Sequence, residues 1–278
     1  MGPSYFIMTV DADPPYSSKM NCIIESGLIS LLNLFNQHSI KATFFVPAVV
    51  AEKFPKLMEK IAQLKHEIAC HGLKHEPYEA TLSFSEQVRN IKKATEIIEA
   101  VTGLKPTGFR APLFKVNRNC WMALYKNQYV YDSSVVPSPL YGNYKQVFPK
   151  SKPYYIPIYN SYRNYGLLEI PVSVNPFLPF PLGGGWVRIF SLNWTKIAIK
   201  TNLAFNVPVV FYIHPKDVVD LNICGLPWYF YRNTTKSINI LGKIIKYAKQ
   251  CGAKFVTAYQ LAKIIKNSAD NCLKWSDF

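Results

Sequence analysis

The chain has 278 residues, of which 49% are apolar, 14% aromatic and 18% charged. This composition excludes a disordered chain and provides enough apolar side chains for a sizeable core. The formal net charge of +15 suits an anionic partner, but the basic residues are dispersed and form no nucleic-acid-binding motif, so we expect no specific nucleic-acid binding. Because no internal repeat, long charge run or Gly/Ser linker divides the sequence, we predict one catalytic domain over residues 1–278.

Short apolar runs alternate with helical patterns, which is typical of parallel strands joined by helices. One helix is marked by a capping box at Ser83 and Glu86 and ends at Gly103. Between residues 137 and 190 the alternation lapses into a Tyr- and Pro-rich stretch, for which we predict elaborated loops that either line a sugar groove or simply pack. The predicted strands are 5–10, 42–46, 67–70, 108–109, 129–131, 167–172, 207–213 and 254–256. This pattern predicts an α/β fold, an irregular (β/α) barrel of seven or eight parallel strands.

The sequence shows few features of a targeting signal. The N-terminus lacks the basic region, apolar core and cleavage site of a signal peptide, and no run of 18 apolar residues follows. We therefore expect a cytoplasmic protein. Peripheral membrane contact through the aromatic cluster at residues 227–232 is a further option, and packing in the core is the alternative. The sequence leaves the oligomeric state open.

Ionisable residues follow five of the predicted strands. In a parallel barrel the reacting groups come from the C-terminal ends of the strands, so these residues are expected to meet at one rim. Taken singly, Asp13 is also explained as a turn residue and Asp132 as a helix cap, but three of the five histidines occupy such positions. The residues are Asp11, Asp13, His71, His75, Arg110, Asp132 and His214.

Two histidines and one aspartate form a candidate metal site. The spacing of His71 and His75 predicts two imidazoles one helical turn apart, and Asp13 completes the three-ligand set of a catalytic zinc site with a position left for water. Zinc lowers the pKa of bound water to about 7, which makes amide hydrolysis feasible near neutral pH.

Three further residues complete a hydrolytic mechanism. We assign Asp11 as the general base, kept ionised and oriented by a salt bridge to Arg110. We assign His214 as the general acid, because a histidine titrates near neutral pH and can protonate a departing amine. For His38 and His66, which lack a place at a strand end, we expect a surface or capping role.

These motifs, in this order, resemble those of the polysaccharide deacetylase (NodB-like) family over nearly the whole chain. Residues 9–13 are similar to its first motif, 71–75 to the second, 109–112 to the third, 131–134 to the fourth and 213–215 to the last. The resemblance implies a deformed (β/α) barrel and one divalent metal ion, most often Zn²⁺, with Co²⁺ or Ni²⁺ as options. It implies the same base, ligands and acid as the residues themselves suggest. We assign substrate contacts to four residues of the matching segments, namely Pro112, Asp132, Ser133 and Trp186.

The first motif departs from the commonest family pattern, because Ala12 separates the two aspartates and Pro14 follows them. The chain resembles a divergent branch that acts on peptidoglycan-type sugars, formylated lipid-linked amino sugars or small cyclic amides. Residues 168–172 and 183–186 look like those of exopolysaccharide-associated members. We therefore predict hydrolysis of an N-acetyl group on an amino sugar of a glycan or glycan precursor. The alternatives are a deformylase, a cyclic amidohydrolase and, in another class, a noncatalytic carbohydrate-binding protein.

Overall fold

One sheet forms the centre of the fold in the computed structural model, which describes residues 4–15, 21–76, 79–139, 150–158, 166–219 and 234–276. The order across the sheet is β6-β7-β5-β4-β3-β2-β1-β8, and β9 pairs with β1 as well. The strands are β1 (Tyr5–Asp11), β2 (Thr43–Val46), β3 (Glu67–Cys70), β4 (Gly108–Phe109), β5 (Tyr131–Asp132), β6 (Tyr154–Ile156), β7 (Leu167–Glu169), β8 (Val209–Ile213) and β9 (Lys254–Phe255).

All strand pairs are parallel except β6 with β7, which are antiparallel. Eight strands thus share one direction, and the sheet curls into an incomplete barrel. The predicted fold class is therefore confirmed. The strand β6 was not predicted, because three residues at a sheet edge carry too short a pattern to distinguish them from a loop.

Helices cover the outer face of the sheet. The capping box at Ser83 is present, and Gly103 ends the same helix with a left-handed φ of 69°. The helices are α1 (Asn21–Gln37), α2 (Ala48–Lys53), α3 (Pro55–Gln63), α4 (Phe84–Thr102), α5 (Arg118–Lys126), α6 (Gly184–Phe190), α7 (Leu192–Ala204), α8 (Thr234–Gln250) and α9 (Ala258–Ser276). Short 3₁₀ helices lie at Glu79–Thr81, Pro112–Phe114 and Pro215–Val218. Across the described ranges, no helix combines the length and apolar character needed to cross a membrane.

Alternation along β1 separates the core into two layers. Phe6, Met8 and Val10 belong to the larger cluster between sheet and helices, whereas Ile7 belongs to a second cluster on the opposite face of the sheet. Because side chains alternate along a strand, Asp11 points to the same side as Ile7. The strand therefore delivers the carboxylate to the concave side of the sheet, where the site lies.

Irregular backbone between β7 and β8 bridges the open side of the barrel. The amide of Ser173 donates to the carbonyl of Val210, and the amide of Leu182 donates back to the carbonyl of Ser173. Gly183 pairs in parallel with Tyr212, and a Cβ on Gly183 would lie 2.5 Å from the Tyr212 ring. Close packing, rather than a flexible turn, explains this glycine.

Two predictions made from aromatic residues cannot be followed in the structure. The cluster at 227–232 lies outside the described residues. So do most tyrosines of the segment proposed to line a groove or pack as loops, namely Tyr141, Tyr144, Tyr159, Tyr162 and Tyr165.

Candidate functional site

The structure brings the three predicted metal ligands together. The Oδ1 atom of Asp13 lies 3.5 Å from Nε2 of His71 and 3.0 Å from Nε2 of His75. One donor atom from each residue lies within 4.8 Å of the other two. This Oδ1 atom is buried and has no hydrogen-bond partner among the described residues. A buried, unsatisfied anionic oxygen facing two imidazole nitrogens fits a divalent cation.

A backbone contact fixes the orientation of the His71 ring. Its Nδ1 atom donates to the carbonyl oxygen of Arg110 at 2.7 Å. A carbonyl can only accept a hydrogen bond, so Nδ1 carries the proton and the lone pair of Nε2 faces Asp13. This is the arrangement by which proteins orient a metal-binding histidine.

The segment from His71 to His75 is a turn and not a helix, so the prediction of one helical turn between the imidazoles is wrong. Gly72 and His75 have left-handed φ values of 82° and 65°. The turn is held by Glu79, whose Oε2 atom accepts from the amide of Leu73 and whose Oε1 atom accepts from the amides of Lys74 and Glu76, at 3.0–3.1 Å. No sequence pattern pointed to this role of Glu79.

A buried ion pair joins the predicted base to its arginine. The Nη1 atom of Arg110 lies 2.6 Å from Oδ1 of Asp11 and donates to Thr9 Oγ1 at 2.8 Å. The guanidinium is fully buried and lies 4.1 Å from the centre of the Phe45 ring. Charge-assisted hydrogen bonds of this kind orient a carboxylate and balance its charge.

The predicted acid, His214, follows β8 and lies between two aspartates. Its Nε2 atom is 3.4 Å from Asp13 Oδ2, and its Nδ1 atom is 3.3 Å from Asp217 Oδ2. The other oxygen of Asp217 pairs with Arg188 at 2.8 Å. Asp217 and Arg188 were not predicted. The only sequence signal for Asp217 was its position three residues after His214, and no sequence signal pointed to Arg188.

The charges in this cluster shift the pKa values of its members. Burial lowers the pKa of His214, but the negative charges of Asp13 and Asp217 raise it by more than burial lowers it. The net change is upward from 6.5. Burial raises the pKa of Asp217, yet the hydrogen bond and charge of His214 and the charge of Arg188 bring it down to about 2. Burial also raises the pKa of Asp13, but the charge of His214 and the neighbouring His71 and His75 imidazoles hold it well below its usual value.

Two of the four predicted substrate contacts lie behind the site. Asp132 is fully buried and accepts hydrogen bonds from the Trp121 indole and the Ser134 hydroxyl, because the strand alternation directs it toward α5. Ser133 is also buried. Its hydroxyl and carbonyl oxygens accept from Arg110, each at 2.9 Å. Their placement supports a scaffolding role and does not support contact with substrate.

The other two lie beside the metal ligands and the acid. Pro112 is close enough to the histidine turn that a Cβ on Gly72 would lie 3.0 Å from its Cγ. The indole of Trp186 donates to the Tyr212 hydroxyl at 2.9 Å, and the Tyr212 ring lies 5.7 Å from the ring of His214. Substrate contact by Pro112 and Trp186 stays a prediction.

Two family models match successive parts of the chain. Residues 2–131 match the model described as polysaccharide deacetylase, and residues 133–238 match a domain of unknown function (DUF3473). The Helicobacter pylori peptidoglycan deacetylase is 33% identical over 124 residues, which are 44% of this chain and 42% of that protein. The aligned segments cover less than half of the curated relatives.

Solved structures share the fold. A Mycobacterium smegmatis protein assigned to the polysaccharide deacetylases has a TM-score of 0.69 at 21% identity, covering 97% of this chain and 93% of its own. Puue allantoinase has a TM-score of 0.68 at 16% identity, covering 93% of this chain and 89% of its own. At these identities the likeness concerns the fold alone.

Proposed function

Residues 2–131 match the polysaccharide deacetylase family, and from this premise we propose that the chain is a metal-dependent hydrolase that removes the N-acetyl group from an amino sugar of a glycan or glycan precursor. The observation that carries the proposal is the convergence of Asp13, His71 and His75 on one point, with the buried Oδ1 atom of Asp13 lacking a hydrogen-bond partner. The name of the H. pylori relative supports a glycan substrate.

The metal fits as Zn²⁺, because two imidazoles and one carboxylate are a usual ligand set of catalytic zinc, although Co²⁺ and Ni²⁺ accept the same donors. When bound, such an ion lowers the pKa of water and polarises an amide carbonyl. Asp13, His71 and His75 would hold it.

The remaining residues would move the protons. Asp11, held by Arg110, accepts a proton from the attacking water. His214 donates a proton to the departing amine nitrogen, and Asp217 stabilises the protonated imidazole and directs its Nε2 atom toward Asp13. The base at the end of β1 thus acts on the attacking water, and the acid after β8 acts on the departing amine.

We also propose that residues 1–278 act as one catalytic domain. The ligands Asp13, His71 and His75 lie in the first matched region, whereas His214 and Asp217 lie in the second. The contact of His214 with Asp13 at 3.4 Å supports the view that neither region makes the site alone.

The first experiment measures metal content and product together. Wild type, His71→Ala and the control His38→Ala, which alters a histidine remote from the ligands, are analysed for metal after reconstitution with Zn²⁺. Acetate and formate release is followed with N-acetylated oligosaccharides, an N-formylated amino sugar and allantoin. We expect about one ion per chain in wild type and control, none in His71→Ala, and acetate from the oligosaccharides.

Each other outcome selects another function. Formate release would favour a deformylase, and ring opening of allantoin would favour the cyclic amidohydrolase that the shared fold of Puue allantoinase suggests. If the wild-type protein binds oligosaccharide but binds no metal and releases no acid, it would be the noncatalytic carbohydrate-binding protein.

The two proton-transfer roles are tested by single substitutions. Asp11→Asn should retain the metal and lose about 10²-fold or more in kcat. His214→Ala should retain metal and substrate binding and lose about as much in kcat, because the amine then departs unprotonated. An unchanged rate in either variant removes that residue from the mechanism.

A further inference from the structure

Four exposed apolar side chains belong to the loop before α6 and to α6 and α7. Phe177 is 75% exposed, Leu178 40%, Ile189 69% and Ile197 54%. We call these four residues the α6–α7 patch. Soluble monomers rarely expose contiguous apolar patches of several large side chains without a function.

Aromatic rings of the same segment contact one another. The ring centroids of Phe180 and Trp186 are 4.9 Å apart, those of Phe180 and Phe190 are 5.0 Å apart, and those of Phe190 and Trp194 are 4.8 Å apart. The loop carrying Phe177 and Leu178 is tied to this stack, because Asn175 accepts from their amides and donates to the carbonyl of Trp194. The patch therefore lies on a rigid support.

The segment that carries the patch contains charged residues of one sign. From residue 170 to residue 216 the chain contains no aspartate or glutamate, whereas it contains Arg188, Lys196, Lys200 and Lys216. Arg188 pairs with Asp217 and Lys216 lies 3.5 Å from Asp13, which leaves Lys196 and Lys200 of α7 as the basic residues near the patch. An apolar surface flanked by lysines is typical of segments that lie at the interface of an anionic membrane. The net charge of +15 adds to the attraction.

The patch is connected to the proposed acid through α6. On this helix Trp186 donates to Tyr212, which contacts His214, and Arg188 pairs with Asp217, which also contacts His214. A membrane that binds to α6 would therefore lie close to the candidate site.

We propose that the α6–α7 patch docks the protein on an anionic lipid bilayer, so that the substrate is met at the membrane surface. A glycan chain is a poorer occupant, because pyranoses stack on free aromatic faces, and here the faces of Trp186, Phe190 and Trp194 cover each other. The isoleucine side chains of Ile189 and Ile197 have neither a hydrogen-bonding group nor an aromatic face for a sugar, but they insert readily among acyl chains. Docking rests on the proposed function for the substrate that is met at the membrane, whereas membrane binding itself is measurable without turnover.

The test uses the full chain and co-sedimentation with vesicles of phosphatidylcholine, alone or mixed with phosphatidylglycerol. The double variant Phe177→Ser/Ile189→Ser removes two exposed side chains of the patch. The matched control is Leu104→Ser/Phe205→Ser, because Leu104 is 50% and Phe205 69% exposed and both lie outside the patch. We expect the patch variant to bind mixed vesicles at least about tenfold more weakly than wild type, and the control to bind equally well.

A charge variant tests the second part of the proposal. Lys200→Glu should weaken binding to mixed vesicles at low salt, whereas Lys105→Glu, an exposed lysine after α4, should weaken it less. Added salt should reduce wild-type binding.

Several results would overturn membrane docking. One is wild-type protein that ignores mixed vesicles at low salt, and another is equal binding by the patch and control variants. A patch variant that dissociates a dimer in analytical ultracentrifugation, with vesicle binding unchanged, would assign the surface to a second copy. If vesicle binding follows the patch but no acyl group is released from any substrate, the docking surface stands and the proposed function fails.

Discussion

The backbone carbonyl of Arg110 accepts a hydrogen bond from His71 at 2.7 Å, while the guanidinium of the same residue lies 2.6 Å from Asp11. One residue after β4 thus orients a metal ligand with its main chain and the proposed base with its side chain. The two functions are therefore separable, because a substitution of the side chain leaves the carbonyl in place.

Arg110→Lys should retain one metal ion per chain and lose about 10²-fold in kcat. A lysine cannot reproduce the planar set of hydrogen bonds to Asp11, Thr9 and Ser133. Because the site is buried, we also expect a loss of about 2 kcal/mol in stability. Elemental analysis, steady-state kinetics and thermal unfolding measure the three effects, and a parallel loss of metal would contradict the separation.

Asp217→Asn should lower kcat about tenfold to 100-fold while leaving KM and metal content close to those of wild type, because the amide stabilises the protonated His214 ring less well. If Asp217 acts through His214, the double variant with His214→Ala should be no slower than His214→Ala alone. Additive losses in kcat would show that Asp217 acts by another route.

Glu79→Ala should weaken metal binding about 10-fold to 100-fold, since it releases the amides of Leu73, Lys74 and Glu76 and lets the histidine turn relax. Competition with a chelator of known affinity measures the change. Glu76→Ala is the matched control, because its exposed side chain lies in the same turn and only its amide is used. Equal affinities in the two variants would show that Glu79 does not position the ligands.

His66 makes stability sensitive to acid. Its buried ring accepts from the amide of Ala42, and burial, aided by the charge of Lys41, lowers its pKa from 6.5 to about 4. Between these values the unfolded chain binds a proton that the folded chain does not, so stability is lost as the pH falls from 6.5 toward 4. The loss is on the order of 2 kcal/mol.

Urea unfolding of the chelator-treated protein at pH 7 and pH 4.5 measures this effect without a contribution from the metal. In His66→Asn, whose side-chain oxygen can still accept from Ala42, the difference between the two pH values should shrink. A variant with the same acid sensitivity as wild type would assign it to other groups.

The sequence was most informative where an apolar run ends in an ionisable residue. Parallel strands end at one rim, so Asp11, Arg110 and His214 could be expected to meet although more than 100 residues separate the last two. The family resemblance gave the same assignments and was confirmed by the match of residues 2–131. The local patterns for strands were sufficient because six of the eight predicted runs lie between two strands of the sheet, where burial of a strand gives a continuous apolar run.

The sequence was least informative about supporting contacts. Glu79, Arg188 and Asp217 act through backbone turns and through pairs distant in sequence, which no periodicity encodes. Asp132 was misleading for a related reason: a strand end brings a residue to the rim, but the face to which it points depends on the alternation along β5, in which Tyr131 faces the inner cluster and Asp132 faces α5. A shift of one residue turns a side chain to the other face.

The pairing of β1 has a consequence for how the molecule forms during synthesis. Its residues Phe6 to Val10 pair with β8, and Tyr5 and Phe6 pair with β9, about 200 and 250 positions later. One edge of β1 therefore keeps unpaired backbone until β8 has been synthesised. Contacts of such sequence separation form slowly, so this edge of β1 is open to wrong pairing until β8 is in place.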